Sequence, residues 1–446
     1  MATTQLQKTP TNTNSRQTFT FSFWLKRSKV SSEQCVWTTR ASGSANVLFR
    51  FNADATFTFK DAAGDLNLIS NRLFRDTSSW YNIILAVDTT QGTAANRAKI
   101  YVNGVQETSF STATYPNQNT SLEINEAGNQ ECIIGSENNQ NYFDGLMSYF
   151  AFVSGTQELP GIFGETDSTT GEWKIKTTIT PSVAWGTNGF LILVNGNSLT
   201  DESTNSNNFA LGGGTLTNTE DCASNIFATI NPLNYQLSGC TLANGNTSLT
   251  ATGGNGWRTF YGTLAGSSGK FYWEQKVNSY SGSSHYIGIS DIDESRNVNT
   301  NDFENGGVSA YCYRADGGKV TSVSGSTVLT AGVGASFGAG DIIGIAMDLD
   351  NQKIYFSKNG TWQNSGDPTS GATGTGSFFD ITAGKLYTPA TATYNTSNQF
   401  FSYNFGNGTF GTTNVSSAGT AGSTPGVFEY DVPTGYEPMT TKGLNS

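Results

Sequence analysis

The sequence predicts an all-β protein made of two antiparallel β-sandwiches joined by a connector rich in Gly and Asn. Three observations predict it. Apolar residues recur with a period of two in several short runs, the pattern of strands that turn one face to a core. Aromatics are plentiful (28 Phe, 18 Tyr, 8 Trp) and 51 of 446 residues are Gly, so strands and tight turns are both well supplied. Only 13% of residues are charged, about half the usual share. That leaves too few Glu, Lys and Arg for heptad helices, and the aromatics argue against disorder. A chain of 446 residues has room for two to four domains.

Residues 1–18 are polar and read as an N-terminal arm. Strands begin at Phe19-Thr-Phe-Ser-Phe-Trp-Leu25, where Phe19, Phe21, Phe23 and Leu25 alternate with Thr20, Ser22 and Trp24. Segments 47–51 and 56–60 repeat the pattern, with Asp54 in the turn between them. Segments 80–88 and 98–106 follow, and Asn103-Gly104 in the second predicts a type I′ turn, whose two central residues need positive φ. Segments 132–135 and 143–153 complete a first sandwich over 19–159.

Between 160 and 233 the periodicity fades into Asn- and Gly-rich stretches such as Asn205-Ser-Asn-Asn208 and Gly212-Gly-Gly214, a connector holding one strand. The second sandwich spans 234–411. Within 342–349 apolar residues occupy both parities, so this strand is predicted to be buried on both faces. Asp350-Asn351 turns the chain and 354–357 returns antiparallel. Residues 412–446 have no periodicity and read as a tail that packs back on the sandwich or onto a neighbouring protein.

Several of these words carry resemblances. Trp80 with its strand, the Lys99-Ile-Tyr-Val-Asn-Gly104 hairpin, Ile134-Gly135 and Phe143-Asp-Gly145 stand in an order that resembles the laminin-G-like branch of the concanavalin A-like jelly rolls. The order Ser268-Gly-Lys-Phe-Tyr-Trp-Glu274, Tyr286-Ile-Gly-Ile-Ser290, the hairpin ending in Lys358-Asn-Gly-Thr-Trp362, Leu386-Tyr-Thr-Pro389 and Asn404-Phe-Gly406 resembles the SPRY domain. Between them, Phe163-Gly-Glu-Thr166, Trp185-Gly-Thr-Asn-Gly-Phe190 and Asn225-Ile-Phe-Ala-Thr-Ile-Asn-Pro-Leu233 resemble a linker found in tail and virion proteins of tailed phages. Residues 428–444 resemble the segment that follows SPRY modules in the same proteins. Together the resemblances imply recognition modules on a virion, the SPRY module binding partners through loops at one edge.

The chemistry is sparse. A net charge of −11 gives no footprint for nucleic acid or anionic lipid. No apolar run is long enough to insert in a membrane, and the N-terminus lacks the apolar core of a signal peptide, so synthesis in the host cytoplasm is expected. Five cysteines without Cys-x-x-Cys spacing read as free thiols, and one histidine leaves no paired-histidine metal site. Concanavalin-like hydrolases use carboxylates on one strand face, but Glu165 and Glu172 are seven residues apart, facing opposite ways across a Ser-Thr-Thr-Gly turn. No enzyme is expected. Asp348-Leu-Asp350 fails as a calcium loop because Lys353 stands where Gly is needed. No cofactor is expected, with calcium kept as a secondary alternative at Asp291, Asp293, Glu294, Asp302 and Glu304, or at Asp54, Asp61, Asp65 and Asp88.

The residues expected to touch a ligand or partner are His285, Tyr311, Tyr313, Trp362, and Arg314 and Asp316 in the polar hairpin tip 314–319. The competing readings are an exposed loop histidine and aromatics that pack at a core or sheet edge; Trp257 and Tyr261 fall under the same pair of readings. The function expected is that of a non-enzymatic phage virion protein, a tail fibre or appendage component binding host surface glycan or protein during adsorption. The alternative is a capsid or tail decoration protein whose partners are other virion proteins; a polysaccharide depolymerase is the least favoured. The resemblance implies a homo-oligomer of the trimeric kind, although no heptad, collagen or β-helix repeat supplies a fibre shaft.

Overall fold

The computed structural model describes residues 3–41, 44–61, 63–124, 126–127, 131–168, 171–179, 183–233, 239–252, 256–280, 284–292, 303, 309–323, 326–395, 398–416, 418–420, 422 and 424–445. The chain is nearly all β and divides into two compact units, Met1–Asn218 and Thr219–Ser446.

In the first unit two antiparallel sheets face each other. One runs, edge to edge, Phe110–Thr114, Asn67–Ser70, Phe57–Asp61, Ser44–Phe51, Gln34–Ala41, Glu131–Ile134, Gln5–Lys8 and Ala210–Gly213. The other runs Phe190–Ile192, Gly145–Ser154, Thr18–Arg27, Trp80–Asp88, Ala98–Val102 and Val105–Glu107. The inward parity of Thr18–Arg27 is Phe19, Phe21, Phe23 and Leu25, as the alternation requires. Phe21 stacks on Phe152 at 4.5 Å and meets Trp37 at 4.8 Å, at the centre of an aromatic core.

Two expectations need correction here. The arm expected over 1–18 is in part a strand: Gln5–Lys8 pairs with both Glu131–Ile134 and Ala210–Gly213, and Leu6 enters the core. The connector expected over 160–233 does not span between sandwiches. Residues 160–218 belong to the first unit and 219–233 to the second. The physical reason is that the outer face of the second sheet is also apolar. Ile84, Ala86, Ala151 and Val153 point outward, and Phe163, Ile179 and Trp185 cover them. Phe190, Ile192 and Phe209 then join the main core. Asp201, itself buried, fixes this cover by accepting hydrogen bonds from the backbone N–H groups of Leu191 (2.8 Å) and Asn207 (2.6 Å).

A small hairpin, Gly164–Thr166 with Trp173–Ile175, lays Trp173 on the Asn103-Gly104 turn. Both turn residues have positive φ, 48° and 78°, the type I′ geometry that the dipeptide predicts. The Trp173 indole N–H donates to Asn82 Oδ1 at 2.9 Å, and its ring lies where a Cβ on Gly104 would stand, 2.7 Å away.

The second unit is a second sandwich. One sheet runs Cys240–Ala243, Ser248–Ala251, Gln399–Asn404, Lys270–Ser279, Ile342–Asp348, Lys353–Lys358 and Thr361–Trp362. The other runs Gly256–Tyr261, Tyr387–Asn395, His285–Asp291, Ala310–Arg314, Lys319–Val323 and Ser326–Thr330. Ile342–Asp348 is buried along its whole length, on both faces. Asp348 closes the following turn by accepting from the Asn351 backbone (2.9 Å) and side chain (2.8 Å), and it pairs with Lys270 at 3.0 Å.

The second face of Ile342–Asp348 is buried because the tail packs back. Glu437–Pro438 adds in parallel to Phe271 and Tyr272, and Phe428 and Tyr436 pack with Tyr272 and Tyr355. Met439 reaches the main core, and its carbonyl accepts from Ala228 N–H at 2.9 Å, so the two ends of the unit meet. Glu274 latches the tail. Fully buried, its carboxylate accepts from the backbone N–H groups of Glu429 and Tyr430 (2.9 Å each), from Asn404 Nδ2 (3.1 Å) and from Tyr272 Oη (3.2 Å). Burial pushes its pKa up to about 7, against the pull of these four donors.

Candidate functional site

Strand alternation separates the residues expected to act together. In Ala310–Arg314, Tyr311 and Tyr313 face the core, whereas Ala310, Cys312 and Arg314 face outward. Tyr311 and Tyr313 are therefore not ligand contacts. Their hydroxyls are used inside, Tyr311 with Thr382 Oγ1 at 2.9 Å and Tyr313 donating to the Ala335 carbonyl. His285 is neither a loop-edge ligand contact nor an exposed loop histidine. It opens a strand, is fully buried, stacks on Phe401 at 4.1 Å and lies 3.0 Å from the Gln275 amide. Burial pushes its pKa down to about 3, so it stays neutral. Trp362 packs edge-on against Tyr272 under the returning tail, beside Val432. Trp362 is half-buried there, and Arg314 and Asp316, paired at 2.8 Å, are the members of the expected set on the outer face of the other sheet.

The sheet register brings other residues to that pair. Trp257 lies directly across from Tyr394, Thr259 across from Ala392, Ala392 across from Tyr286, and Tyr286 across from Arg314. Trp257, Tyr394, Tyr286 and Arg314 thus share the outer face of four adjacent strands. Ring centroids are 5.6 Å apart for Tyr394 and Trp257 and 4.8 Å for Trp257 and Tyr286, and the Arg314 guanidinium carbon lies 5.8 Å from the Tyr286 ring. Tyr394 is 37% exposed, Trp257 is half-buried, and Tyr286, at 3%, is the floor beneath them. Asp316 ends the strip, its Oδ1 accepting from Gly318 N–H at 2.9 Å and its Oδ2 from Arg314. The sequence contained each aromatic of this strip, but the neighbours are 257, 286, 314 and 394. Strand order alone unites them.

The carboxylates weighed for chemistry are engaged locally. Glu165 and Asp167 both face Lys174 across their hairpin, at 3.6 and 3.1 Å. Asp54 accepts from Thr56 and Asp88 from Thr90 and Gln91 within their own turns, while Asp61 accepts from Ala63 in its turn and from the backbone of Glu123, 62 residues on. Asp291 pairs with Lys385 at 2.9 Å, while Asp293, Glu294, Asp302 and Glu304 lie outside the described residues. Among the described residues, no three His, Cys, Asp or Glu side chains gather as a metal group.

Comparison with known families agrees with this architecture. Residues 2–158 match the concanavalin A-like lectin/glucanases superfamily and residues 270–385 match the SPRY domain. The chain therefore carries an N-terminal laminin-G-like domain and a C-terminal SPRY domain, folds typical of non-catalytic binding. Similar solved structures include the SPRY domain of human HERC1 (19% identity, covering 37% of this chain and 91% of that one, TM-score 0.28). The TRIM65 PSpry domain (13%, 40% and 91%, TM-score 0.28) is another. A third is the native heptameric SAP-like pentraxin from Limulus polyphemus (14%, 34% and 70%, TM-score 0.26). No curated protein sequence matches the chain.

Proposed function

We propose that the protein is a non-enzymatic binding component of a tailed-phage virion, on a tail fibre or related appendage, that contacts host surface glycan or protein during adsorption. The observation that carries the binding reading is the outward-facing strip of Trp257, Tyr394, Tyr286, Arg314 and Asp316 on a fold typical of recognition. The virion setting is supported by the words at 163–166, 185–190 and 225–233, which resemble phage tail proteins. Assembly as a homo-oligomer, a trimer by the same resemblance, belongs to this reading. The test is adsorption: purified protein is expected to bind host cells and to compete with intact phage. Protein that does neither removes the proposal.

A second reading, a decoration protein contacting other virion proteins, is favoured by the strand Ser326–Thr330 at the end of its sheet. Val328 and Leu329 lie on its opposite faces and are both exposed, an edge suited to pairing with another chain. Antibody labelling of intact particles separates the two: label at appendage tips supports the first, label over capsid faces the second.

A further inference from the structure

We infer that the strip from Tyr394 through Trp257 and Tyr286 to the Arg314–Asp316 pair is a subsite for one ring of an uncharged glycan, a pyranose lying on the aromatic faces with hydroxyls on Asp316. This inference deepens the binding reading above and rests on it. The strip is shallow: Tyr286 is its floor, Tyr394 its exposed rim, and Trp257 stands between them at 4.8 and 5.6 Å. The Trp257 ring is inclined 42° to Tyr286 and 71° to Tyr394, so the strip offers apolar ring area face by face, held in place because Tyr286 supports the indole.

The polar end decides the ligand class. Each Asp316 oxygen already accepts one hydrogen bond, from Gly318 N–H and from Arg314, which fixes the carboxylate and leaves each oxygen further acceptor capacity. Two neighbouring hydroxyls satisfy such a group without bringing a second charge. The pair sums to zero charge, and the next cation along the hairpin, Lys319, is turned away to donate to the Phe378 carbonyl at 2.6 Å. On a chain of net charge −11, an anionic glycan would meet a general repulsion, and among the described residues the cation on the strip, Arg314, is already paired with Asp316. A protein partner fits less well. Burying Asp316, 36% exposed, under an apolar surface would cost more than its existing partner returns, and Asp is depleted from the centres of protein interfaces.

The experiment uses the full chain against immobilised neutral glucan, galactan and mannan, with a uronate-bearing polysaccharide as the charged probe and whole host cells as the functional probe. Expected is binding to at least one neutral polysaccharide, at least tenfold weaker binding to the uronate probe, and at least tenfold loss in Tyr394→Ala and Asp316→Asn. Phe400→Ala, an exposed aromatic of the other sheet, should bind as the parent does. Trp257→Ala is paired with Trp257→Tyr, whose partial rescue distinguishes lost stacking from lost folding. Cell binding that these variants abolish, without any neutral glycan binding, makes the strip a protein contact and overturns the inference while leaving the function standing. Cell binding that no strip variant weakens overturns it equally. Failure to bind cells at all removes the function itself, and the inference with it.

Discussion

Glu274 and His285 show how much one buried group changes the pH behaviour of a charge-poor protein. The Glu274 carboxyl is raised from 4.5 to about 7 by burial, so the folded chain keeps a proton that the unfolded chain has already released. The stability tied to that proton is complete below pH 4.5 and is lost as pH rises toward 7. His285 runs the other way. Its folded pKa of about 3, against 6.5, means its contribution is present above pH 6.5 and is lost as pH falls toward 3. Between about pH 5 and 6.5 the two slopes oppose each other. Removing the imidazole with His285→Phe should leave a urea midpoint that falls steadily from about pH 5 to 7.5; a midpoint with the parent's pH profile would refute the assignment. Glu274→Gln turns an amide N–H toward a backbone N–H of the tail. It should cost about 2–4 kcal/mol and make the tail a site of early proteolysis. Neither role was legible in the sequence. His285 sits at a strand boundary, where period-two reasoning does not tell loop from core, and the partners of Glu274 lie about 130 and 155 residues downstream.

At the scale of single elements, the strands with strong apolar patterns were readable: the alternating 19–25 and 47–51 runs occur as strands with their apolar parity inward, 80–88 occurs as a strand, and 342–348 is a strand buried on both faces. What escaped was the second, outer covering. Phe163, Ile179 and Trp185 come from short apolar words, Ile162-Phe163, Ile179 and Val183-Ala-Trp185, set among Gly, Thr and Ser, and no period marks them. They pack because the sheet beneath them is apolar on both sides, a fact visible only once the register is known. A fragment ending at residue 158, the limit of the matched family region, lacks that cover and the core residues Phe190, Ile192 and Phe209. It should aggregate or melt well below a 1–218 fragment in a thermal scan; equal melting would mean the cover is dispensable. Gly104→Ala is a finer probe. It combines positive φ with a Cβ 2.7 Å from the Trp173 ring, and about 1–3 kcal/mol of lost stability is expected by denaturant unfolding of the first unit.

Across the whole molecule, the sparse charge, 13% of residues, also bears on how binding should respond to salt. A neutral strip holding an uncharged ligand has no counterions to release. Affinity for host cells should therefore change less than about twofold between roughly 50 and 500 mM salt. A steep salt dependence would point to a charged contact elsewhere. The candidate strip was half legible: Arg314 and Asp316 stood out as a polar hairpin tip, but their aromatic neighbours arrive from strands that only the sheet order sets side by side.

The meeting of residues 225–230 with 437–441 has a consequence for the order of events during synthesis. Its closing residues, Tyr436, Glu437 and Met439, leave the ribosome roughly 200 residues after the unit begins. Only about 35 residues separate them from the last strand of the sandwich, Gln399–Asn404, so at about 5–20 residues per second the nascent sandwich waits on the order of 2–7 s with one sheet face bare. The first unit closes in the same way, its strand Ala210–Gly213 pairing back onto Gln5–Lys8 made about 200 residues earlier, but it does so before the second unit's strands are made. Synthesis of residues 428–439 is therefore a checkpoint: a chain released before them carries a finished first sandwich and an unlatched second one, which chaperones or proteases can tell from a latched one.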